Sequence, residues 1–328
     1  MKKLLIWMLP LCVWLAACNP STEKDQPVSD LETLNRKILD NPNDASLYYQ
    51  RSKMQAESGL YEAAIKDIDR SLKLDSTKAD VYFTAGEAYF HINQTRQSRD
   101  AFEKCVRLKP DHVEALLKLA ELYLYVKGYP KSVEYADQVL KIDKHQSKAY
   151  MLKGLDFKML GDTAKAISSF QTAVEQNPDY YDAYMQLGLL SGIQHNPLAI
   201  DYYDNALRLD PVSIEAMYGK AMFYQQNGHV NQALEVYNQI LTQDSRHLQT
   251  HYNLGYIYAN EFKKYALAKG FFEDALKVDS TYLKAEYMIG YCDEMLGFDD
   301  KAVEIYSAVL KKDATFQLAT DGLRRLGF

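Results

Sequence analysis

The sequence predicts an all-α solenoid, and two observations lead to this prediction. The first is a repeat of about 34 residues that runs without interruption from Ala45 to Phe316. The second is a set of small residues that recurs at two fixed positions of every repeat. Units this short cannot each bury a hydrophobic face alone, so they must stack on their neighbours. We therefore expect eight antiparallel helix pairs around one continuous core.

A motif near the end of each unit sets the boundaries of the repeats. It reads Ala206-Leu207-Arg208-Leu209-Asp210-Pro211 in one copy and Ala275-Leu276-Lys277-Val278-Asp279-Ser280 in another. Pro110, Pro178 and Pro211 follow the second helix of their repeats, where proline ends a helix. The eight predicted repeats are residues 45–78, 79–112, 113–146, 147–180, 181–213, 214–247, 248–282 and 283–316.

Small residues mark the place where the two helices of a repeat cross. Position 8 of the repeats holds Ser52, Gly86, Ala120, Gly154, Gly188, Ala221, Gly255 and Gly290. The facing position of the second helix holds Ala64, Ser98, Ser132, Ala166, Ala199, Ala233, Ala268 and Ala302. Two helices approach closely only where neither carries a bulky side chain, so these positions predict the crossing point of a helical hairpin. Larger residues further along the second helix, such as Phe170 and Phe272, are expected to fill the space where the next hairpin stacks.

With this period and these positions, the chain resembles the tetratricopeptide repeat family. The resemblance covers residues 45–316 and implies a right-handed superhelical solenoid in which the first helix of each pair, helix A, lines the concave face. It implies an interaction module and names no partner. A partial repeat helix at residues 29–42 and a capping helix at residues 317–328, with Leu318 among its inward residues, are expected to cover the two ends.

The start of the chain resembles a bacterial lipoprotein signal. Residues 1–17 begin with two lysines and continue with an apolar run that is too short to span a bilayer. Leu15-Ala16-Ala17-Cys18 resembles the lipoprotein box, which implies cleavage before Cys18 and acyl chains on that cysteine. Asn19 after the cysteine implies the outer membrane, facing the periplasm or the cell surface. The alternative is an ordinary signal peptide with an incidental cysteine. Residues 18–28 are polar and are expected to form a flexible tether.

Composition and motifs argue against several classes of function. The formal net charge is −6, with acidic and basic residues interspersed, which argues against a nucleic-acid ligand. The histidines and cysteines show no spacing typical of a metal site or of catalysis, and no glycine loop suits a phosphate. We therefore expect no enzyme activity, no cofactor and no metal. Cys105 and Cys292 are expected to be small core residues.

Two positions of helix A are expected to form the partner-binding groove. Positions 5 and 9 lie one helical turn apart on the same face. The fifth positions are Tyr49, Phe83, Leu117, Met151, Met185, Tyr218, Tyr252 and Tyr287. The ninth positions are Lys53, Glu87, Glu121, Leu155, Leu189, Met222, Tyr256 and Tyr291. The predicted partner-binding residues are all eight fifth positions and the five apolar ninth positions, because Tyr and Met suit an adaptable peptide groove.

Other interpretations of these positions stay open at this point. An apolar fifth position is ordinary in the family, so these residues also fit a core role. The Lys-x-x-x-Asn arrangement with which some members hold a C-terminal carboxylate is absent, since Lys53 follows Tyr49. The fifth repeat has Ser191 in place of an aromatic residue, then Gly192 and a deletion, which indicates either a hinge or a local variation.

These observations lead to one main functional hypothesis. The chain is interpreted as a non-catalytic scaffold that is held at the membrane only through its lipid anchor and binds a segment of another envelope protein. It would help to assemble a complex of the cell envelope. The alternative is a lipoprotein that binds glycan or peptidoglycan through groove tyrosines, and an enzyme is the least favoured interpretation.

Overall fold

The fold is all-α, as the sequence predicts. A computed structural model describes residues 30–328, and within them every regular element is a helix. The predicted signal (residues 1–17), Cys18 and the predicted tether (residues 18–28) lie outside the described residues. Among residues 30–328, no helix is long and apolar enough to cross a membrane.

The described chain divides into two compact units. The first ends at Leu108 and contains α1 (Asp30–Asp40), α2 (Ala45–Glu57), α3 (Tyr61–Leu74), α4 (Ala79–His91) and α5 (Thr95–Leu108). The second, Lys109–Phe328, contains α6 (Val113–Tyr125), α7 (Tyr129–Ile142), α8 (Ser147–Met159), α9 (Thr163–Gln176), α10 (Tyr181–Ile193), α11 (Leu198–Leu209), α12 (Ile214–Gln226), α13 (Val230–Gln243), α14 (Leu248–Asn260), α15 (Tyr265–Val278), α16 (Leu283–Met295), α17 (Asp299–Lys312) and α18 (Gln317–Arg325). Within each unit, consecutive helices pack against one another.

In each hairpin the first helix, helix A, is one of the even-numbered helices from α2 to α16. These helices begin at Ala45, Ala79, Val113, Ser147, Tyr181, Ile214, Leu248 and Leu283, the residues at which the sequence repeats begin. A helices of successive hairpins also touch each other, as α10 does α12. α11 packs on both α10 and α12, so the fifth repeat lies inside the second unit. This favours a local variation of the fifth repeat over a hinge.

Each turn between helix A and its partner, helix B, contains one residue with left-handed backbone. These residues have φ between +52° and +80° and are Gly59, Asn93, Lys127, Gly161, His195, Gly228, Lys263 and Gly297. A left-handed residue just after a helix lets the following backbone N–H groups reach the last helical carbonyls. In the first repeat, for example, Gly59 N–H donates to Ala56 O at 3.0 Å and Leu60 N–H donates to Gln55 O at 2.8 Å.

In seven of the eight repeats, the return turn from helix B to the next helix is closed by a short acidic or amide side chain, whereas the second repeat has Lys109 at this position. Asp75, Asn177 and Asp313 each accept a hydrogen bond from the backbone N–H two residues further on, at 2.9–3.1 Å. Such Asx turns reverse the chain after a helix. The Asp or Asn in the repeat motif therefore has a structural role.

A large helix-B residue fills the space between hairpins in most repeats. The Tyr203 ring lies between two A helices: a Cβ at Gly188 would come 2.7 Å from the ring and a Cβ at Gly219, on the next helix A, 2.5 Å. The small helix-B residue also faces position 8, because Ser98 Oγ donates to Gly86 O at 2.8 Å. Position 8 is therefore small for two reasons, the close helix crossing and the room that the ring requires.

Substitution of Gly255 tests this packing. A Cβ there would lie 2.7 Å from the Phe272 ring, so we expect Gly255→Leu to cost about 1–3 kcal/mol through overpacking. The loss should stay near the seventh hairpin, because repeats contact only their neighbours. Hydrogen exchange measured by mass spectrometry should show lower protection in α14, α15 and α16. Unchanged protection there would contradict the packing described above.

The C-terminal helix is fixed by a charged cluster and not by all of its leucines. Arg325 Nε and Nη2 donate to the two carboxylate oxygens of Glu294 at 2.8 Å, and Tyr306 donates to the same carboxylate at 2.6 Å. The expectation that Leu318 faces inward is wrong, since its side chain is 53% exposed. Leu323 does pack against the core. Leu318 stands one residue after the start of α18, beyond the reach of the last hairpin's core.

One buried acid lacks any partner. Asp156, on α8, is fully buried, and neither of its carboxylate oxygens has a hydrogen-bond partner among the described residues. Other repeats have an apolar residue at this position, such as Leu122 and Leu190. Ser132 lies close enough to lower the pKa of Asp156, but the Ser132 hydroxyl donates to Ala120 O at 2.8 Å. Burial dominates and raises the pKa of Asp156 to about 6.

This acid should make stability depend on pH. The folded pKa lies above the ordinary value of 3.8, so ionisation opposes folding, and wild-type stability should fall as pH rises from about 4 to about 6. Asp156→Asn cannot ionise and should be more stable than wild type above pH 6, by up to about 3 kcal/mol. Urea unfolding of both proteins at pH 4.0, 5.0 and 7.5 measures the difference. A difference that does not grow with pH would contradict this account.

Candidate functional site

The fifth positions of helix A are buried more deeply than residues of a partner-binding groove need to be. Four of them, Leu117, Met151, Met185 and Tyr287, are only 7–8% exposed. The others, Tyr49, Phe83, Tyr218 and Tyr252, are half-buried. Met151, Met185 and Tyr287 belong to hydrophobic clusters of the hairpins, so most of their surface is unavailable to a partner.

The ninth positions are more accessible. Leu189 is 42% exposed and Tyr256 is 41% exposed. Leu155, Met222 and Tyr291 are half-buried. Neighbouring side chains cover part of Met222 and Tyr291, because Met222 contacts Asn253 and the rings of Tyr291 and Tyr265 meet edge to face.

Two cavities open on the A helices of the second unit and collect seven of the predicted residues. Cavity 1 has a volume of about 310 Å³ and lies between α10 and α12. Its lining includes Met185, Leu189, Tyr218 and Met222. Tyr203 and Phe223 add to its apolar walls, and Glu215 is its only charged lining residue. Its remaining lining residues are Gly192, Ile193, Gly219 and the two glutamines Gln186 and Gln226. This size and mostly apolar lining suit one or two side chains of a ligand.

Cavity 2 lies further along the same unit, between α14, α16 and α18. Its volume is about 500 Å³, and Tyr252, Tyr256 and Tyr287 line it. Burial raises the pKa of Tyr252 to about 12, so this phenol stays protonated at neutral pH. Lys284 and Asp313 supply one charge of each sign at this cavity. The exposed Leu318 also lines it, which gives that side chain a place the sequence analysis missed.

The remaining predicted residues line neither cavity. Tyr49 and Phe83 belong to the first unit. Leu117, Met151, Leu155 and Tyr291 belong to the second unit but contribute to the walls of neither cavity. The structure therefore brings the predicted residues together in two groups rather than in one unbroken row.

A hydrogen-bond network stiffens the surface between the cavities. Asn253 Nδ2, on α14, lies 3.0 Å from Tyr237 Oη and 3.1 Å from Tyr218 Oη. Tyr237 in turn donates to Gln225 Oε1 at 2.7 Å. Burial raises the pKa of Tyr218, so its hydroxyl remains a protonated member of the network. The repeat pattern does not indicate Asn253, because its position carries unrelated residues in the other repeats.

The described residues offer no sign of a metal-dependent or thiol chemistry. Within residues 30–328, no group of three or more His, Cys, Asp or Glu side chains is placed to hold a metal ion. Cys105 and Cys292 are both buried, in line with the core role expected for them. Burial raises the pKa of Cys292 to about 12, which keeps it as an unreactive thiol.

Comparison with known proteins relates this chain to proteins with the same repeat. Human tetratricopeptide repeat protein 13 is 25% identical over half of this chain, which corresponds to 19% of its own length. The chain spans well under half of the length of the curated relatives that it matches. The structure of YrrB, a tetratricopeptide repeat protein with an unusual peptide-binding site, is 23% identical and covers 58% of this chain and 98% of its own, with a TM-score of 0.50. PilW, a type IV pilus biogenesis factor, is 16% identical and covers 60% of this chain and 92% of its own, with a TM-score of 0.52.

Models of the repeat itself match more than half of the sequence. Two models described as tetratricopeptide repeat match residues 45–78, 79–112, 151–191, 192–245 and 248–282. The matched ranges begin at or within the hairpins described above, and three of them coincide with whole repeats. The chain therefore belongs to the tetratricopeptide repeat family.

Proposed function

We propose that this chain is a lipid-anchored scaffold of the bacterial cell envelope that binds a segment of another envelope protein along its A helices. The observation that carries the proposal is the pair of apolar cavities on that side of the second unit. Both are lined by fifth and ninth positions, and both combine aromatic or methionine side chains with few charges. Such surfaces suit peptide side chains, because Tyr supplies rigid contact area and Met adapts its shape.

The repeat family and one similar structure support a binding role. Tetratricopeptide repeats form scaffolds for other proteins, and YrrB has a peptide-binding site. PilW takes part in pilus biogenesis, a process of the cell envelope. A role in the assembly of an envelope complex fits these likenesses. The anchoring part of the proposal rests on Leu15-Ala16-Ala17-Cys18. Several acyl chains on one cysteine would hold the protein stably, since each buried CH₂ contributes only ~0.8 kcal/mol.

Glutamate substitutions in the groove test the binding role. Tyr256→Glu places a charge at the rim of cavity 2, and Met222→Glu places one in cavity 1. Loss of a central aromatic contact typically costs at least ~2 kcal/mol of binding, so recovery of partners crosslinked in cells should fall sharply. Tyr291→Glu should act more weakly, because Tyr291 lines neither cavity. Mass spectrometry of the crosslinked material identifies and quantifies the partners.

A matched control separates binding from folding. Leu267, on helix B of the seventh repeat, is 47% exposed, close to Tyr256 at 41%, so Leu267→Glu introduces the same charge on the other helix. It should leave both partner recovery and melting temperature unchanged. Full recovery with Tyr256→Glu would show that the A helices are not the binding surface. Recovery of glycan fragments alone would favour the peptidoglycan alternative.

The anchor is tested by Cys18→Ser. This change removes the thiol that would carry the acyl chains, so the protein should move from the membrane fraction to the soluble fraction. Fractionation at high salt, followed by immunoblotting, measures the distribution. The same fractionation of Cys105→Ser, which alters a buried core cysteine, provides the control. Membrane sedimentation of intact Cys18→Ser would refute lipid anchoring through this residue.

A further inference from the structure

Three tyrosines occupy equivalent places on helices B of the second unit. They are Tyr203 on α11, Tyr237 on α13 and Tyr306 on α17. In two cases the buried hydroxyl donates to a side chain at position 12 of the preceding helix A. Tyr237 donates to Gln225 Oε1 at 2.7 Å, and Tyr306 donates to Glu294 Oε2 at 2.6 Å. The repeat therefore has a built-in acceptor for this hydroxyl.

The fifth repeat lacks that acceptor. Position 12 of α10 is Gly192, which has no side chain. Tyr203 is only 5% exposed, and its hydroxyl forms no hydrogen bond with any residue in the described part of the chain. This hydroxyl is not fully enclosed and meets solvent at cavity 1, so an acceptor on a ligand would replace that solvent with the bond that Gln225 and Glu294 make in their repeats.

Cavity 1 occupies the space that a side chain at position 12 would fill. Both Gly192 and Tyr203 line it. A Cβ built on Gly192 would meet only Phe223 Cδ2, at 3.9 Å, so the place is open. By contrast, Cβ atoms at Gly188 and Gly219 would collide with the Tyr203 ring. The vacancy is therefore specific to Gly192.

The chemistry of the lining favours a neutral acceptor. Glu215 is the only charged residue of cavity 1 and would repel a carboxylate. In the eighth repeat, Tyr306 donates to a carboxylate, that of Glu294. Arg325 neutralises this carboxylate through two hydrogen bonds of 2.8 Å. No arginine or lysine lines cavity 1. The remaining precedent within the chain is the amide of Gln225.

We propose that cavity 1 binds a glutamine side chain of the partner segment, with the amide oxygen accepting from Tyr203 Oη and the amide N–H₂ available to Glu215. This proposal rests on the proposed function and names the side chain that its groove selects. The apolar walls, such as Met185 and Met222, would cover the two methylene groups of the ligand. The ligand would thus repeat in trans the bond that Gln225 makes within the chain.

Gly192→Gln tests the proposal by filling the site from within. Its amide should satisfy Tyr203, raise the melting temperature and exclude the ligand. Gly270→Gln is the matched control, because Gly270 is also helical and a Cβ there meets nothing within 4 Å. Both changes should gain stability by replacing a helical glycine. Only Gly192→Gln should gain further stability, and that extra gain should disappear in the double variant with Tyr203→Phe.

The probe for binding is a phage-displayed library of random twelve-residue peptides, selected on the purified full chain. Sequences enriched on wild type should share a glutamine flanked by apolar residues. A synthetic peptide of that consensus should bind about tenfold more weakly to Tyr203→Phe, and more weakly still to Gly192→Gln. Gly270→Gln should bind it as wild type does.

Several outcomes would overturn the proposal. These are no enrichment, an acidic or purely apolar consensus, or unchanged binding to Gly192→Gln. The crosslinking experiment with Tyr256→Glu distinguishes this failure from failure of the proposed function. If partner recovery depends on Tyr256 while peptide binding ignores Gly192, the groove role stands and the glutamine site falls. If recovery ignores both cavities, the proposed function falls with it.

Discussion

A single packing constraint underlies this architecture: one large helix-B side chain must fit between the backbones of two A helices. The Tyr203 ring shows it most directly, since Gly188 and Gly219 leave room on its two sides. Because glycine backbones face this ring on both sides, the ring itself limits how closely these two A helices can approach. In the second unit, residues at positions 5 and 9 of the A helices line the two cavities.

The same constraint explains why the proposed binding surface is discontinuous. Fifth positions sit close to the helix-B rings, as Tyr287 does to Tyr306 with ring centroids 5.5 Å apart, and they are mostly absorbed into the core. Ninth positions lie one turn further on, and some of them remain accessible. Between the cavities, the bonds of Asn253 fix the orientation of Tyr218. The surface therefore offers two apolar recesses separated by a stiff polar bridge.

The fold was largely predictable from the sequence, whereas the site was predictable only in outline. The 34-residue period and the small residues at position 8 define the hairpins because those features repeat eight times. Asp156, Asn253 and Gly192 each differ from the residues at the same position of the other repeats. A comparison of the repeats therefore overlooks them or treats them as local variation. The burial of Met185 and Tyr287 likewise depends on neighbouring hairpins. Leu318 shows the same limit at the end of the chain, where the pattern has no further repeat to rely on.

The left-handed turns between helix A and helix B determine where the chain can accept inserted residues. Repeats of 33, 34 and 35 residues all keep such a turn, at His195, Gly161 and Lys263 for example. The turn is closed by backbone hydrogen bonds, so neither glycine nor a fixed residue count is required. Each of these turns is therefore a suitable place to insert additional residues. A reporter or affinity module grafted there would leave both helix registers, and with them the spacing of the hairpins, undisturbed.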